Sequence, residues 1–193
     1  LALAFSKALG LDYKRIQFTT DTLPSDIVGF TMLNNETQKF EFRPGAVFSN
    51  LLLADEINRT SPKTQAALLE AMEEHNVTFD GVTYDLPHPF ITMATQNPMG
   101  SAGTQPLPES QLDRFMICLS IGYPNLEKQI EIIKSRRYDN PIERIKEVAS
   151  KENVIEVQNY LSSVRICDDV LKYIVLLCEK TREMPLVELG VSP

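Results

Sequence analysis

The chain has 193 residues, 43% apolar and 23% charged, with 19 basic against 26 acidic side chains and a formal net charge of −7. That length supports one sizeable domain, or a domain with a small appendage, and the composition is that of a globular protein rather than a disordered one. The acidic balance argues against a nucleic-acid surface, no apolar run approaches the roughly 18 residues of a membrane span, and no signal peptide is visible.

Cys118, Cys167 and Cys178 lack the paired spacing of a zinc site. They are expected as reduced core thiols, which points to the cytoplasm.

The chain opens on an apolar helical stripe, Leu1, Ala4, Phe5, Ala8 and Leu9, without an initiator Met or a cap, and stops at Pro193. It reads as a fragment that starts inside a helix. Gly10 ends that helix, and Tyr13 to Thr19 alternates well enough for a strand. Leu23-Pro24-Ser25-Asp26 signals a turn, with Ser25 or Asp26 placed to cap a short helix. Phe30 to Leu33 and Lys39 to Arg43, separated by an Asn-rich turn, predict a β-hairpin that looks inserted where a helix is expected.

After the break at Pro44-Gly45 comes Leu51-Leu52-Leu53-Ala54-Asp55-Glu56, an apolar run that ends in two adjacent carboxylates. Such a run suits a strand covered on both faces of a parallel sheet, with its acids at the carboxyl end, the edge where open α/β sheets bind ligands. A magnesium ion takes one or two carboxylates plus water and phosphate oxygens. Asp55 is therefore placed as a metal ligand, and Glu56 as the group that orients or deprotonates an attacking water. The plainer alternative, acid that caps the next helix, accounts for one carboxylate more easily than for two.

Ser61-Pro62 starts a helix, with Ser61 as cap and Pro62 at the first position. Its predicted inner face is Ala66, Ala67, Leu68, Leu69 and Met72, and Glu70, Glu73 and Glu74 face water. Asp80-Gly81 between Val77 to Phe79 and Val82 to Tyr84 predicts a second hairpin. Phe90 to Ala94 is another apolar run, ending in Thr95-Gln96-Asn97-Pro98. If it neighbours the first, Asn97 reaches the same crevice, where its amide can bond a terminal phosphate or the attacking water. An Asx turn set up by Pro98 is the alternative.

A loop rich in Gly, Ser and Pro (99–108) leads to Asp113-Arg114 and a third apolar run, Phe115 to Ile121. Arg114 is either half of a local ion pair with Asp113 or an arginine finger, a cation for the charge developing on a transferred phosphate, often supplied by a neighbouring subunit. Beyond Pro124 only helical periodicity remains: Leu126, Ile130 and Ile133, then Val154 to Val164, then Val170 to Cys178. Lys134, Arg136 and Arg137 read as a solvated helix end. His75 and His88 lack a second ligand nearby. An α/β core over 1–124 and a small helical domain over 125–193 are expected.

Four segments in register, Leu51 to Arg59, Ala94 to Pro98, Leu107 to Phe115 and Leu189 to Pro193, resemble the MoxR family of AAA+ ATPases. The resemblance implies a parallel α/β core with helices on both faces and a helical lid. It makes Asp55 and Glu56 the Walker B pair, Asn97 sensor 1, Arg114 the arginine finger and Arg59 a further candidate for an intersubunit contact. The first hairpin resembles the helix-2 insert and the second the pre-sensor hairpin, which tend to face the pore or the substrate.

The family implies ATP hydrolysis with Mg2+, a ring of subunits, usually a hexamer, and chaperone-like work on partner proteins, often ones with von Willebrand factor A domains. No Gly-x-x-x-x-Gly-Lys-Ser/Thr occurs in the chain. By the resemblance that loop belongs immediately before Leu1 and the sensor 2 arginine directly after Pro193, so this polypeptide alone is expected to bind ATP poorly. A degenerate assembly module without turnover and an ATPase acting on nucleic acid are the competing readings.

Overall fold

The structure is a computed structural model that describes residues 1–97, 106–136, 140–187 and 190–191. Pro98, most of the glycine-rich loop, Arg137, and Leu189, Ser192 and Pro193 of the terminal segment lie outside the described residues. In chain order the elements are α1 (Ala2–Ala8), β1 (Tyr13–Gln17), α2 (Pro24–Val28), β2 (Gly29–Asn34), β3 (Lys39–Pro44), β4 (Leu51–Asp55), α3 (Pro62–Glu74), β5 (Asn76–Phe79), β6 (Val82–Asp85), β7 (Ile91–Ala94), α4 (Glu109–Leu112), α5 (Leu126–Arg136), α6 (Lys151–Leu161) and α7 (Asp168–Glu183). They fall into two compact units, residues 1–106 with 120–155, and residues 107–119 with 156–193. This division does not coincide with the change of sequence character near Pro124, because residues 120–155 go with the sheet.

The sheet has three strands in the order β1, β4, β7, all parallel. The uncharged run is the central strand and presents buried apolar residues to both faces. Leu51 packs with Ala2 and Leu11, and Leu9, Tyr13, Leu53, Ile91 and Met93 close around them. Side chains alternate along a strand, so Leu52 and Ala54 point to the opposite face. There they are fully buried. The fold is α/β, a parallel sheet with helices on both sides and a helical C-terminal part. Among the described residues no helix is long and apolar enough to cross a membrane.

Local chemistry explains the helix starts. Pro24 takes the first position of α2, and the residue before it, Leu23, is the cap in place of Ser25 or Asp26; the Leu23 amide donates to Asp26 Oδ2 at 2.9 Å. Ser61 caps α3, its Oγ accepting from the Thr64 amide at 3.3 Å. The buried face of α3 differs from the expected one. Ala66 is exposed, and Thr64 and Gln65 are buried with Leu68, Leu69 and Ala71. The two polar residues tolerate burial because they are bonded: Thr64 Oγ1 donates to the Thr22 carbonyl at 3.0 Å, and Gln65 Nε2 to the Ile57 carbonyl at 3.2 Å.

Both hairpins form, β2 with β3 and β5 with β6. Asp80 and Gly81 both have positive φ, 50° and 76°, as the tight turn between β5 and β6 requires. The hairpins are joined to each other. Phe42 of β3 stacks on Tyr84 of β6 with ring centroids 4.1 Å apart, and Thr31 Oγ1 bonds Asp80 at 3.3 Å.

The later helices form where periodicity predicts, but α6 and α7 bury no residue, and the described side chains of α5 are exposed. The third apolar run forms no strand: Met116, Ile117, Leu119 and Ile121 are exposed. The cysteines are free, but they are not core thiols. Cys118 and Cys167 are exposed and Cys178 is half-buried.

At Gly45 the chain passes so close to the end of α2 that an added Cβ would lie 2.2 Å from the Ile27 carbonyl oxygen and 2.5 Å from the Gly29 nitrogen. Backbone on both sides leaves no flexible group to yield. Gly45→Ala is therefore expected to destabilise the protein by roughly 1–3 kcal/mol, seen as a lower urea midpoint, whereas an unchanged midpoint would show that this approach is slack.

Candidate active site

Parallel pairing sets Gln17 beside Asp55 and Ala54 beside Ala94, so three strands deliver their next residues to one edge. Arg15 and Gln17, two apart on β1, share a face of that strand. The Arg15 guanidinium donates to Asp55 Oδ2 from Nη2 at 2.6 Å and from Nε at 3.2 Å, and Nη2 also donates to Gln17 Oε1 at 2.7 Å. On the other side the Thr95 hydroxyl donates to Asp55 Oδ1. That hydroxyl also accepts from the Glu56 amide at 2.9 Å, which ties the end of β7 to the end of β4.

Glu56 has a left-handed backbone, φ 56° and ψ 48°. For a residue with a Cβ this conformation is unfavourable and persists only where surroundings impose it. Here they do. The Ile57 amide donates to the Thr95 carbonyl at 3.0 Å, and the Asn58 amide group bonds the backbone of Asn97 in both directions, at 3.0 and 3.2 Å. Gln65 from α3 holds the Ile57 and Thr60 carbonyls from below. The Glu56 carboxylate accepts from Arg59 Nη1 at 2.8 Å and from Gln17 Nε2 at 2.9 Å, and it is hydrogen-bonded by the Asn97 side chain.

Two like charges on adjacent residues are tolerated because each has its own guanidinium. Burial pulls the Asp55 carboxyl upward, but the Thr95 hydroxyl and Arg15 outweigh it and leave the group below the usual carboxylate range. The bond from Arg59 is the main cause that lowers Glu56, with Asn97 adding to it. The bond to Asp55 raises Arg15 above its ordinary value. Both acids are ionised at neutral pH.

The edge suits a hard divalent cation. Its donors are carboxylate, hydroxyl and amide oxygens, and among the described residues no cluster of three or more His, Cys, Asp or Glu forms a protein cage. One or two carboxylates with the remaining ligands drawn from water and phosphate is the pattern of Mg2+.

The adjacent acids Asp55 and Glu56 are thus brought together with Asn97, which is distant from them in sequence. Arg59, the further candidate, pairs with Glu56 of its own chain. Arg114 follows α4 in the second unit, exposed to solvent, so the geometry above is that of the first unit alone. Arg15, Gln17 and Thr95 were not among the expected site residues. The charged and polar residues alternating at the end of β1 are the available sequence signal for Arg15 and Gln17, a pattern that by itself reads as solvent-facing.

The model of the ATPase family associated with various cellular activities (AAA) matches residues 1–117. Chaperone MoxR1 of Mycobacterium tuberculosis is 38% identical over 179 residues, which are 93% of this chain and 47% of that protein. The chain belongs to the MoxR family of AAA+ ATPases. The uncharacterized protein YeaC of Bacillus subtilis (strain 168) is 52% identical over 190 residues, 98% of this chain and 59% of YeaC. The crystal structure of a putative ATPase from Cytophaga hutchinsonii superposes with a TM-score of 0.82 at 42% identity, over 92% of this chain and 54% of that one. This MoxR-family chain thus spans about half the length of the relatives it matches.

A depressed Asp55 adds stability above the ordinary Asp range, and that contribution is lost as pH falls through the native value. Thr95→Val removes one of the two groups that lower it. The variant is expected to titrate Asp55 at a higher pH in 13C carboxyl NMR and to begin losing stability earlier on acidification; an unchanged titration would show that Arg15 alone sets the carboxylate.

Proposed function

We propose that the intact protein is a ring-forming, hexameric, cytoplasmic ATPase that uses Mg2+-dependent ATP hydrolysis to remodel partner proteins. The convergence of Asp55, Glu56 and Asn97 at the carboxyl edge of a parallel sheet carries this reading. The chaperone name of one relative supports the remodelling part. Proteins with von Willebrand factor A domains are the partner class the family resemblance offers.

In this reading Asp55 holds the metal, directly or through its water, and Thr95 fixes the carboxylate's orientation. Bound Mg2+ would supply charge neutralisation to the phosphates at this edge. Glu56 accepts a hydrogen bond from the attacking water, and Asn97 positions the γ-phosphate or that water. A carboxylate held low by Arg59 is a weak base. That suits phosphoryl transfer, whose loose transition state asks for alignment of the water more than for early removal of its proton. Arg114 of a neighbouring subunit acts as the finger on the developing charge.

Glu56→Gln in the full-length protein is expected to retain nucleotide binding and to lose turnover by about 100-fold or more; a phosphate-release rate near wild type would remove Glu56 from the mechanism. Arg114→Ala is expected to be inactive alone and to regain part of its activity when mixed with Glu56→Gln subunits, since each mutant supplies what the other lacks. Mixed rings that stay silent would count against action across an interface.

A further inference from the structure

We propose that Arg15 is a resident counter-ion for Asp55, which a divalent cation must displace, so that metal binding at this edge is an exchange of one positive group for another. The inference rests on the reading of Asp55 as the metal-holding carboxylate. Three observations carry it. Both Asp55 oxygens are already engaged, Oδ1 by Thr95 and Oδ2 by two nitrogens of Arg15. The donors differ in kind: the hydroxyl of Thr95 is tied into the backbone through the Glu56 amide, whereas Arg15 is a long side chain, 55% exposed, able to swing into solvent.

A guanidinium also stays protonated at any working pH. Arg15 therefore cannot yield its place by losing a proton. It has to move off Oδ2 to admit the incoming cation, and its bond to Gln17 Oε1 gives it somewhere to rest on the same strand. The metal thus competes with Arg15, and Arg15 acts through Asp55 as a positioning residue.

The test is the affinity of the full-length protein for Mn2+ in the presence of ADP, followed by the EPR signal of the free ion at constant ionic strength. Arg15→Gln removes the competing charge and is expected to bind Mn2+ about two- to fivefold tighter, the range that a partly exposed ion pair contributes to an equilibrium. Arg15→Lys keeps the charge and is expected to stay near wild type. Unchanged or weaker Mn2+ binding in Arg15→Gln overturns the proposal.

Asp55→Asn separates the two levels of the argument. Mn2+ affinity unchanged in that variant sinks the reading of Asp55 itself, whereas a loss there together with no gain in Arg15→Gln sinks only the role of Arg15. A measurement on the unaltered protein guards against misfolded variants: the Arg15 Nε–H resonance is expected to shift when Mg2+ and ADP are added together, and a resonance that stays put at saturation counts against exchange.

Discussion

Parallel ladders keep neighbouring residues in step, and the pairing of β4 with β1 on one side and β7 on the other determines what meets at the edge of this sheet. Gln17 stands beside Asp55 and Ala54 beside Ala94. A shift of one residue in either ladder would turn every side chain of that strand to the other face. Register is held by burial on both faces of β4, where Leu51 and Leu52 point opposite ways and neither has a polar alternative. The functional geometry is in this sense a by-product of apolar packing.

Charge is arranged with the same economy. Asp55 and Glu56 are adjacent, and Arg15 and Arg59 reach them from opposite sides in sequence, one from a neighbouring strand and one from the loop that follows. Gln17 lies between the two pairs, accepting from Arg15 and donating to Glu56. The result is a continuous hydrogen-bonded rim whose members polarise one another. A perturbation at either acid has a short path to the other.

The apolar runs, the hairpins and the acidic strand end were legible because each has a local signature: a buried run bounded by polar residues, an Asp-Gly turn, a Ser-Pro helix start. The nearness of Asn97 to Glu56 followed from treating two similar runs as neighbours. Arg15 was hidden because its partner is 40 residues away, and an alternating strand reads its charged positions as solvent-facing. The face of α3 was misassigned because periodicity ranks Ala66 above Gln65, while the deciding fact is that the Gln65 amide finds two carbonyls in the loop after Glu56. The run at Phe115 to Ile121, exposed from Met116 onward, shows the converse limit: an apolar stretch becomes a strand only where a partner ladder receives it.

The left-handed backbone at Glu56 sets ease of folding against chemistry. Glycine or asparagine would occupy that place with less discomfort than glutamate does. The chain instead puts an acid there and surrounds it with amides from Asn58 and Gln65 that hold the turn. A search for sturdier variants that scored only melting temperature would be drawn to replace the very residue whose orientation the neighbouring loop exists to secure.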